Sequence, residues 1–306
     1  MQTRKLGSSG IEVSVVGLGC NNFGRRLHDT ATIRAVVHRA LDLGVTLLDT
    51  ADIYGEDGKS EQYLGEILGP RRNDVVLATK FGYGGGASRQ SVMRSAEASL
   101  KRLRTDRIDL YQVHFPDTRT PIEETLRALD ELVRQGKVRQ IGCSNFSVAQ
   151  VGDAQRVATQ HGLAAFVTCQ DEYSLLSRGI EDDLLPLMQR HGMGLLPYRP
   201  VASGLLTGKY QRDKPMPQGT RLSPGGYHAA EIVNERNWAI LDQLHALAAR
   251  NGKSMLDLAV GWLLAKPLTA SVIAGATTLE QIEQNVRAGA STLSPRDVAE
   301  LDRITQ

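Results

Sequence analysis

A (β/α)8 TIM barrel, the α/β fold in which eight parallel strands each lead into a covering helix, is predicted for this chain on three observations. Short apolar runs alternate with longer amphipathic ones, a rhythm that calls for parallel strands covered by helices. Eight strand candidates emerge from that alternation. The length, 306 residues, exceeds the usual size of such a barrel by about fifty residues, leaving room for additions. No low-complexity linker interrupts the pattern, so one domain over residues 1–306 is expected.

Taken in order, the opening TRKLGSSGIEVS holds two short extended runs around GSSG and predicts a hairpin closing the barrel bottom. The eight strands follow as SVVGLG (14–19), VTLLD (45–49), DVVLATK (74–80), IDLYQVH (108–114), RQIGCS (139–144), FVTCQ (166–170), GLLPY (194–198) and ASVIAG (270–275). Helices are predicted over 30–43, 89–103, 121–135, 147–159 and 254–265. Ser88 and Ser147 read as N-caps, and Pro121 suits a first helical turn. Two additions to the barrel are helices, one over 231–250 ahead of the eighth unit and one over 295–305 at the end.

Composition narrows the class. Hydrophobic residues make up 41% of the chain, enough for a large core, and 36 Lys and Arg stand against 34 Asp and Glu. The basic clusters Arg71-Arg72 and KRLR (101–104) fall where helices end, so they are expected as solvated charges complementing the helix dipole and not as a nucleic-acid surface. The start MQTRKLGSSG lacks the apolar core of a signal peptide, and no apolar run is long enough to cross a bilayer. A cytoplasmic location is the expectation, with no membrane partner. Cys20, Cys143 and Cys169 are odd in number and far apart, which argues against a disulfide framework and offers no paired metal-ligand spacing.

One competing fold arises from VVLATKFGYGGGA, where G-x-G-x-x-A follows a strand and Asp106 and Asp109 lie about twenty residues on. In a dinucleotide fold the helix opens on the glycines and the acid ends the next strand. Here the helix signal starts near Ser88 and Asp109 begins the strand, so the glycines are expected to form a mobile loop over the barrel mouth.

Chemistry in this fold sits at the C-terminal ends of the strands. The second strand ends at Asp49, the third at Lys80 and the fourth at His114, with Tyr54 in the loop after the second. Each alone has a structural explanation as a cap, a rim residue, a core histidine or packing. Together they form a chemical unit. A phenol is a poor proton donor at neutral pH, and a neighbouring ammonium stabilises its anion and pulls its pKa down. A buried Lys80 needs a carboxylate to stay charged, which Asp49 supplies. His114 can orient a substrate oxygen toward Tyr54. Asp52 is read as a loop hydrogen-bonding residue. Such a set polarises and protonates a carbonyl and lacks only a reductant.

The motifs LDTADIYG, ATKFG, DLYQVHFPD, IGCSNF, LPYRPVASGLLTGKY and GATTLEQIEQN, in this order along nearly the whole chain, resemble those of the aldo-keto reductases. The resemblance implies that Asp49, Tyr54, Lys80 and His114 form the catalytic tetrad. It also implies a nicotinamide cofactor, NADP or NADPH with NAD possible, that passes hydride to or from the carbonyl or alcohol carbon of a small-molecule substrate.

The remaining strand ends resemble the family's cofactor contacts. Ser144, Asn145 and Gln170 match the clamp on the nicotinamide carboxamide, and Tyr198 matches the aromatic that stacks on the ring. In SGLLTGK, Gly204, Leu206, Gly208 and Lys209 match the pyrophosphate loop. Gly275, Thr277, Thr278, Gln281 and Asn285 match the adenosine end, where exposed helix N–H groups would suit a phosphate.

Three positions depart from the family pattern. Gln281 stands where a basic residue often grips the 2′-phosphate, Arg199 where Ser is common, and Phe115 where Trp is frequent. Arg199 is expected either to contact the cofactor pyrophosphate or an anionic substrate, or to turn into solvent. Phe23, Arg25, Arg26, Tyr83, Phe115 and the segment 210–230 are expected to shape the substrate pocket. Two other readings stay open: a cofactor-sensing regulatory subunit with little turnover, for which the sequence shows no N-terminal docking extension, and a Schiff-base enzyme using Lys80 as nucleophile.

Overall fold

Alternation along the strands decides which side chains meet inside the barrel. The computed structural model describes residues 1–223 and 229–306, so residues 224–228 of the expected pocket segment 210–230 lie outside the described residues. A two-stranded antiparallel hairpin, β1 (Thr3–Lys5) and β2 (Glu12–Ser14), comes first. The barrel units follow as β3 (Val16–Gly19), α1 (Thr30–Asp42), β4 (Leu47–Asp49), α2 (Lys59–Ile67), β5 (Val76–Phe81), α3 (Arg89–Leu103), β6 (Ile108–Val113) and α4 (Ile122–Arg134). Next come β7 (Val138–Ser144), α5 (Val148–His161), β8 (Phe166–Gln170), α6 (Leu184–Arg190) and β9 (Gly194–Leu195). The chain ends with α7 (Ala229–Ile232), α8 (Glu235–Arg250), α9 (Met255–Ala265), β10 (Val272–Gly275), α10 (Leu279–Ala290) and α11 (Pro295–Thr305).

Strands β3 to β9 pair in parallel in chain order and β10 pairs with β3, giving one eight-stranded sheet. A bridge between Leu195 and Thr269, with the Ala270 N–H donating to the Leu195 carbonyl, brings its two edges together. This is the predicted (β/α)8 architecture, and all eight predicted strands are present. The additions fall where expected: α8 and α11 are the two extra helices, and the hairpin closes the bottom.

That closure is a packing event. Leu6 and Val13 of the hairpin join Leu47, Val76, Leu110 and Ile273 in the apolar cluster filling the barrel. Gly7 is required there, because it has φ +56° and a Cβ would lie 2.2 Å from the Val167 carbonyl oxygen. A second, larger apolar layer lies between the strands and the helices.

Ser88 and Ser147 cap α3 and α5 as predicted, the latter with a full capping box. Pro121 is the N-cap of α4 and not a first-turn residue. Lys101 and Arg104 are exposed as expected, but one residue of each basic cluster is less solvated. Arg72 is 9% exposed and binds Asp109, Thr105 and two carbonyls, while Arg102 binds the fully buried Glu61. These guanidiniums serve as ties beneath the surface because a buried carboxylate waits for each. The three cysteines are free and buried, although Cys143 and Cys169 come within 3.7 Å across β7 and β8. Among the described residues no helix is long and apolar enough to cross a membrane, and no His, Cys, Asp and Glu group could hold a metal ion.

Candidate active site

Period-two alternation carries a line of interior positions to the strand ends. Leu47 points into the barrel, and so does Asp49; Ala78 leads to Lys80; Leu110 leads through Gln112 to His114. The same pleat that buries apolar side chains in the barrel thus delivers three polar ones to its mouth. Tyr54 arrives from the turn after β4, whose Gly55 lies so close to the β3–α1 loop that a Cβ would meet the Phe23 carbonyl.

The four groups meet as the sequence predicted. Lys80 is fully buried, and its Nζ donates to Asp49 Oδ2 at 2.7 Å, to the Thr50 carbonyl at 2.9 Å and to the Tyr54 hydroxyl at 3.2 Å. The His114 ring stands edge-on to the Tyr54 ring, with centroids 5.8 Å apart. Burial alone would push the Lys80 ammonium down, but Asp49 and then Tyr54 outweigh it, so its pKa is raised and it stays charged. For Tyr54 the balance differs from the expectation of a lowered pKa. Burial raises it most, Lys80 lowers it, Asp49 raises it again, and the net shift is upward. Burial, with Lys80 adding to it, pushes His114 down to about 3, so the imidazole is neutral at physiological pH.

Asp52 lies behind this group. Its N–H donates to the Lys80 carbonyl, yet its side-chain Oδ1 is buried without a hydrogen bond. Burial, then the nearby Glu61, pushes Asp52 up to about 6.

The clamp residues hold one another. Ser144 Oγ donates to the Gln170 carbonyl, and Asn145 Nδ2 donates to the His114 carbonyl and to Ser144 Oγ. The Tyr198 hydroxyl donates to Asn145 Oδ1 at 2.8 Å, and Gln170 Nε2 donates to Asp49 Oδ1 at 2.9 Å. Past β9 the backbone is strained: Arg199, Ala202 and Ser203 have positive φ, as do Gly204 and Gly208. Glu56, Asp57 and Asn145 share this property, so six of the eight non-glycine residues with positive φ among the described residues lie near strand ends at the mouth.

Several expected contacts are corrected. Leu206 is fully buried in the apolar layer, so only its backbone is offered to a ligand. Phe23 is also fully buried and lines no pocket, whereas Tyr83 and Phe115 are exposed beside His114. Arg199 neither turns into solvent nor stands free for a phosphate; its Nη1 binds Glu172 Oε2 at 2.9 Å. The N–H groups at the start of α10 are partly used. Thr278 caps the Gln281 N–H, the Gln281 side chain accepts from the Thr277 N–H at 2.8 Å, and Asn285 Nδ2 reaches the Gly275 carbonyl at 3.4 Å.

Within the expected pocket segment 210–230, the sequence did not single out Arg221, which the structure brings to the mouth. Its guanidinium donates to Asn21 Oδ1 and Asn22 Oδ1, and it lies 3.6 Å from where a Cβ on Gly275 would be. Burial lowers its pKa most, followed by the charges of Arg26, Arg25 and Arg199. Lys209 is lowered by burial, then by Arg26 and Arg221. Arg26 in turn donates to the Gly219 carbonyl. Among the described residues Arg26, Lys209 and Arg221 have no acidic partner. A nicotinamide dinucleotide would suit this surface: the glycine at 275 leaves room beside Arg221, and the crowded cations match the charge of its phosphates.

The sequence model of the Aldo/keto reductase family matches residues 15–306. A protein of Oryza sativa subsp. japonica named a probable voltage-gated potassium channel subunit beta is 35% identical, covering 100% of this chain and 97% of its own length. One of the same name from Arabidopsis thaliana is 35% identical, with 94% and 91% covered. The L-glyceraldehyde 3-phosphate reductase of Escherichia coli K12 is 33% identical, with 99% and 92% covered.

Proposed function

This chain belongs to the aldo/keto reductase family, and on that premise we propose that it is an NADPH-dependent oxidoreductase interconverting aldehydes or ketones with alcohols. It acts as a single barrel domain in the cytoplasm, on small molecules and not on nucleic acid or membranes. The observation that carries the reading is the buried Asp49–Lys80 pair joined to Tyr54, with the neutral His114 beside it.

In this reading Tyr54 gives its proton to the carbonyl oxygen, and the Lys80 ammonium stabilises the phenolate left behind. Asp49 keeps Lys80 charged in a site that would otherwise discharge it. His114 Nδ1 is buried with no partner, so the ring's single proton belongs on Nε2, where it can be donated to the substrate oxygen. The cofactor supplies the hydride when bound. Ser144, Asn145, Gln170 and Tyr198 would hold its nicotinamide, Gly204, Gly208 and Lys209 its pyrophosphate, and Gly275, Thr277, Gln281 and Asn285 its adenosine end. Arg221, beside Gly275, supplies the cation that position 281 lacks, which supports NADPH over NADH.

The test is NADPH absorbance followed against a broad panel of carbonyls and sugars, and NADP reduction against the matching alcohols. Turnover of any member supports the reading; tight cofactor binding without turnover across the panel overturns it. That second outcome would favour a cofactor-sensing regulatory subunit, a reading supported by the relatives named potassium channel beta subunits.

A further inference from the structure

Asp49 divides its two carboxylate oxygens between opposite sides of the mouth. Oδ2 accepts from Lys80 at 2.7 Å, and Oδ1 accepts from Gln170 Nε2 at 2.9 Å. Both partners are buried, Gln170 being 2% exposed. The orientation of the amide is dictated chemically, because a carboxylate only accepts and the nitrogen must face it. Gln170 is itself fixed through its backbone, whose carbonyl accepts from Ser144 Oγ and from the Asn145 N–H. A continuous line of hydrogen bonds therefore runs from β8 through Asp49 and Lys80 to Tyr54.

We propose that Gln170, besides facing the cofactor, is a positioning residue that holds Asp49 turned away from full engagement with Lys80, so that the ammonium remains on the Tyr54 hydroxyl. This rests on the reductase reading of the site. The bond from Lys80 to Tyr54 is the longest of its three at 3.2 Å, and so is the first to be lost if Lys80 moves. Without the donor at Oδ1, that oxygen would be buried and unpaired, a cost that turning both oxygens toward Lys80 relieves. The ammonium would follow and leave the phenol. The groups facing Tyr54 are Lys80 from β5, Asp49 from β4, Cys20 after β3, His114 after β6 and, across the mouth, Tyr198 after β9. Of these only Lys80 carries positive charge, so its withdrawal is not compensated.

Two variants test this. Gln170→Met keeps the length of the side chain and removes the donor. At saturating NADPH its kcat should fall about tenfold, and ionisation of Tyr54 should move up by about one pH unit, the scale of one lost hydrogen-bonded charge partner. In cofactor-free protein the Cζ resonance of Tyr54, from isotopically labelled tyrosine and assigned by its loss in Tyr54→Phe, should shift even at neutral pH. Gln170→Glu is nearly isosteric. While protonated its carboxyl can still donate to Asp49, so kcat should approach the unaltered value at acidic pH and fall below that of Gln170→Met once the carboxyl ionises.

A residue that only binds cofactor predicts weaker NADPH affinity, unchanged saturating kcat and an unmoved Tyr54 resonance in both variants; that result overturns the proposal. Equal losses in Gln170→Glu at every pH would overturn it too. Absence of carbonyl turnover in the unaltered protein would instead end the reductase reading, while the Tyr54 resonance would still decide the role of Gln170.

Discussion

At the ends of β4 and β5, the buried Asp49 and Lys80 meet the half-buried Tyr54 with donors matched to acceptors. Across the same mouth, Arg26, Lys209 and Arg221 crowd together with no acidic partner among the described residues, held by amide oxygens, a carbonyl and a ring face. The first wall, Asp52 apart, has internal compensation for the charge it buries. The second holds excess charge of one sign, which raises the free energy of the folded chain and is relieved by an anion. The difference separates two duties: one wall has its reacting groups in place before any ligand arrives, and the other is complementary only to something negative. Substitutions on the first should therefore change turnover, and on the second affinity.

Tyr54→Phe is the largest expected effect. It removes one hydroxyl from the compensated wall and should lower kcat by about 10²- to 10⁴-fold while leaving NADPH affinity, read by protein fluorescence, nearly unchanged. Lys80→Met should be comparably damaging to turnover, and it also leaves Asp49 buried without its cation. Breaking a buried pair in this way costs about 3–5 kcal/mol, to be read by denaturant unfolding. A variant of either kind that lost cofactor affinity and kept its kcat would break the division between the walls.

Arg221→Gln addresses the other wall. Loss of a charge-assisted contact to phosphate should weaken NADPH by about 1–3 kcal/mol, with a smaller effect on NADH and little on saturating kcat. Raising salt should narrow the gap between the variant and the unaltered protein, since a partly buried cationic wall that solvent still reaches is screened more than a fully buried pair. Equal losses for both cofactors would place Arg221 on the pyrophosphate and leave the 2′-phosphate to α10.

How legible each wall was in the sequence follows the same division. Asp49, Lys80 and His114 could be found because strand alternation and strand ends are local signals, and the barrel places all strand ends on one rim. Arg221 could not. It sits in a stretch without apolar periodicity, and its partner Asn22 is 199 residues away. The glycines of SGLLTGK announced a close backbone approach, but a loop motif does not say which side chains turn inward, so Leu206 was expected at the ligand and lies in the core. Phe23 was misplaced for the same reason. The lowered Tyr54 pKa was the right consequence of Lys80 alone; how strongly burial opposes it depends on how deep the turn after β4 is set.

Asp52 is a carboxylate that the compensated wall leaves partly unpaired, and it sharpens the comparison at smaller scale. Burial first, then Glu61, raises it from 3.8 to about 6. The folded state therefore holds a proton through that window that the unfolded chain releases, so this group's contribution to stability falls as pH rises from about 4 to 6 and stays unfavourable above. Asp52→Asn should remove the penalty, stabilising the protein by about 1–2 kcal/mol at neutral pH and by little at pH about 4. Unfolding measured at both pH values checks it, and equal gains at the two would rule out a titration as the cause.

Arg199 separates the walls at the smallest scale, because it stands in the cationic cluster yet carries its own counterion. Its side chain and that of Glu172 are 27% and 31% exposed, a setting in which an ion pair contributes modestly. With its charge balanced by Glu172, Arg199 adds less to the field at the mouth than Arg221 does. Arg199→Ser should accordingly weaken either cofactor by only about 0–1 kcal/mol. The double variant with Glu172→Gln should behave like the single one if the pair is self-contained. If Arg199 left Glu172 for the pyrophosphate on binding, NADPH and NADH would both weaken about tenfold or more, and Glu172→Gln alone would tighten them by freeing the guanidinium. Cofactor titrations of the two single variants and the double variant distinguish these outcomes, and a loss in Arg199→Ser equal to that in Arg221→Gln would move Arg199 into the wall that awaits an anion.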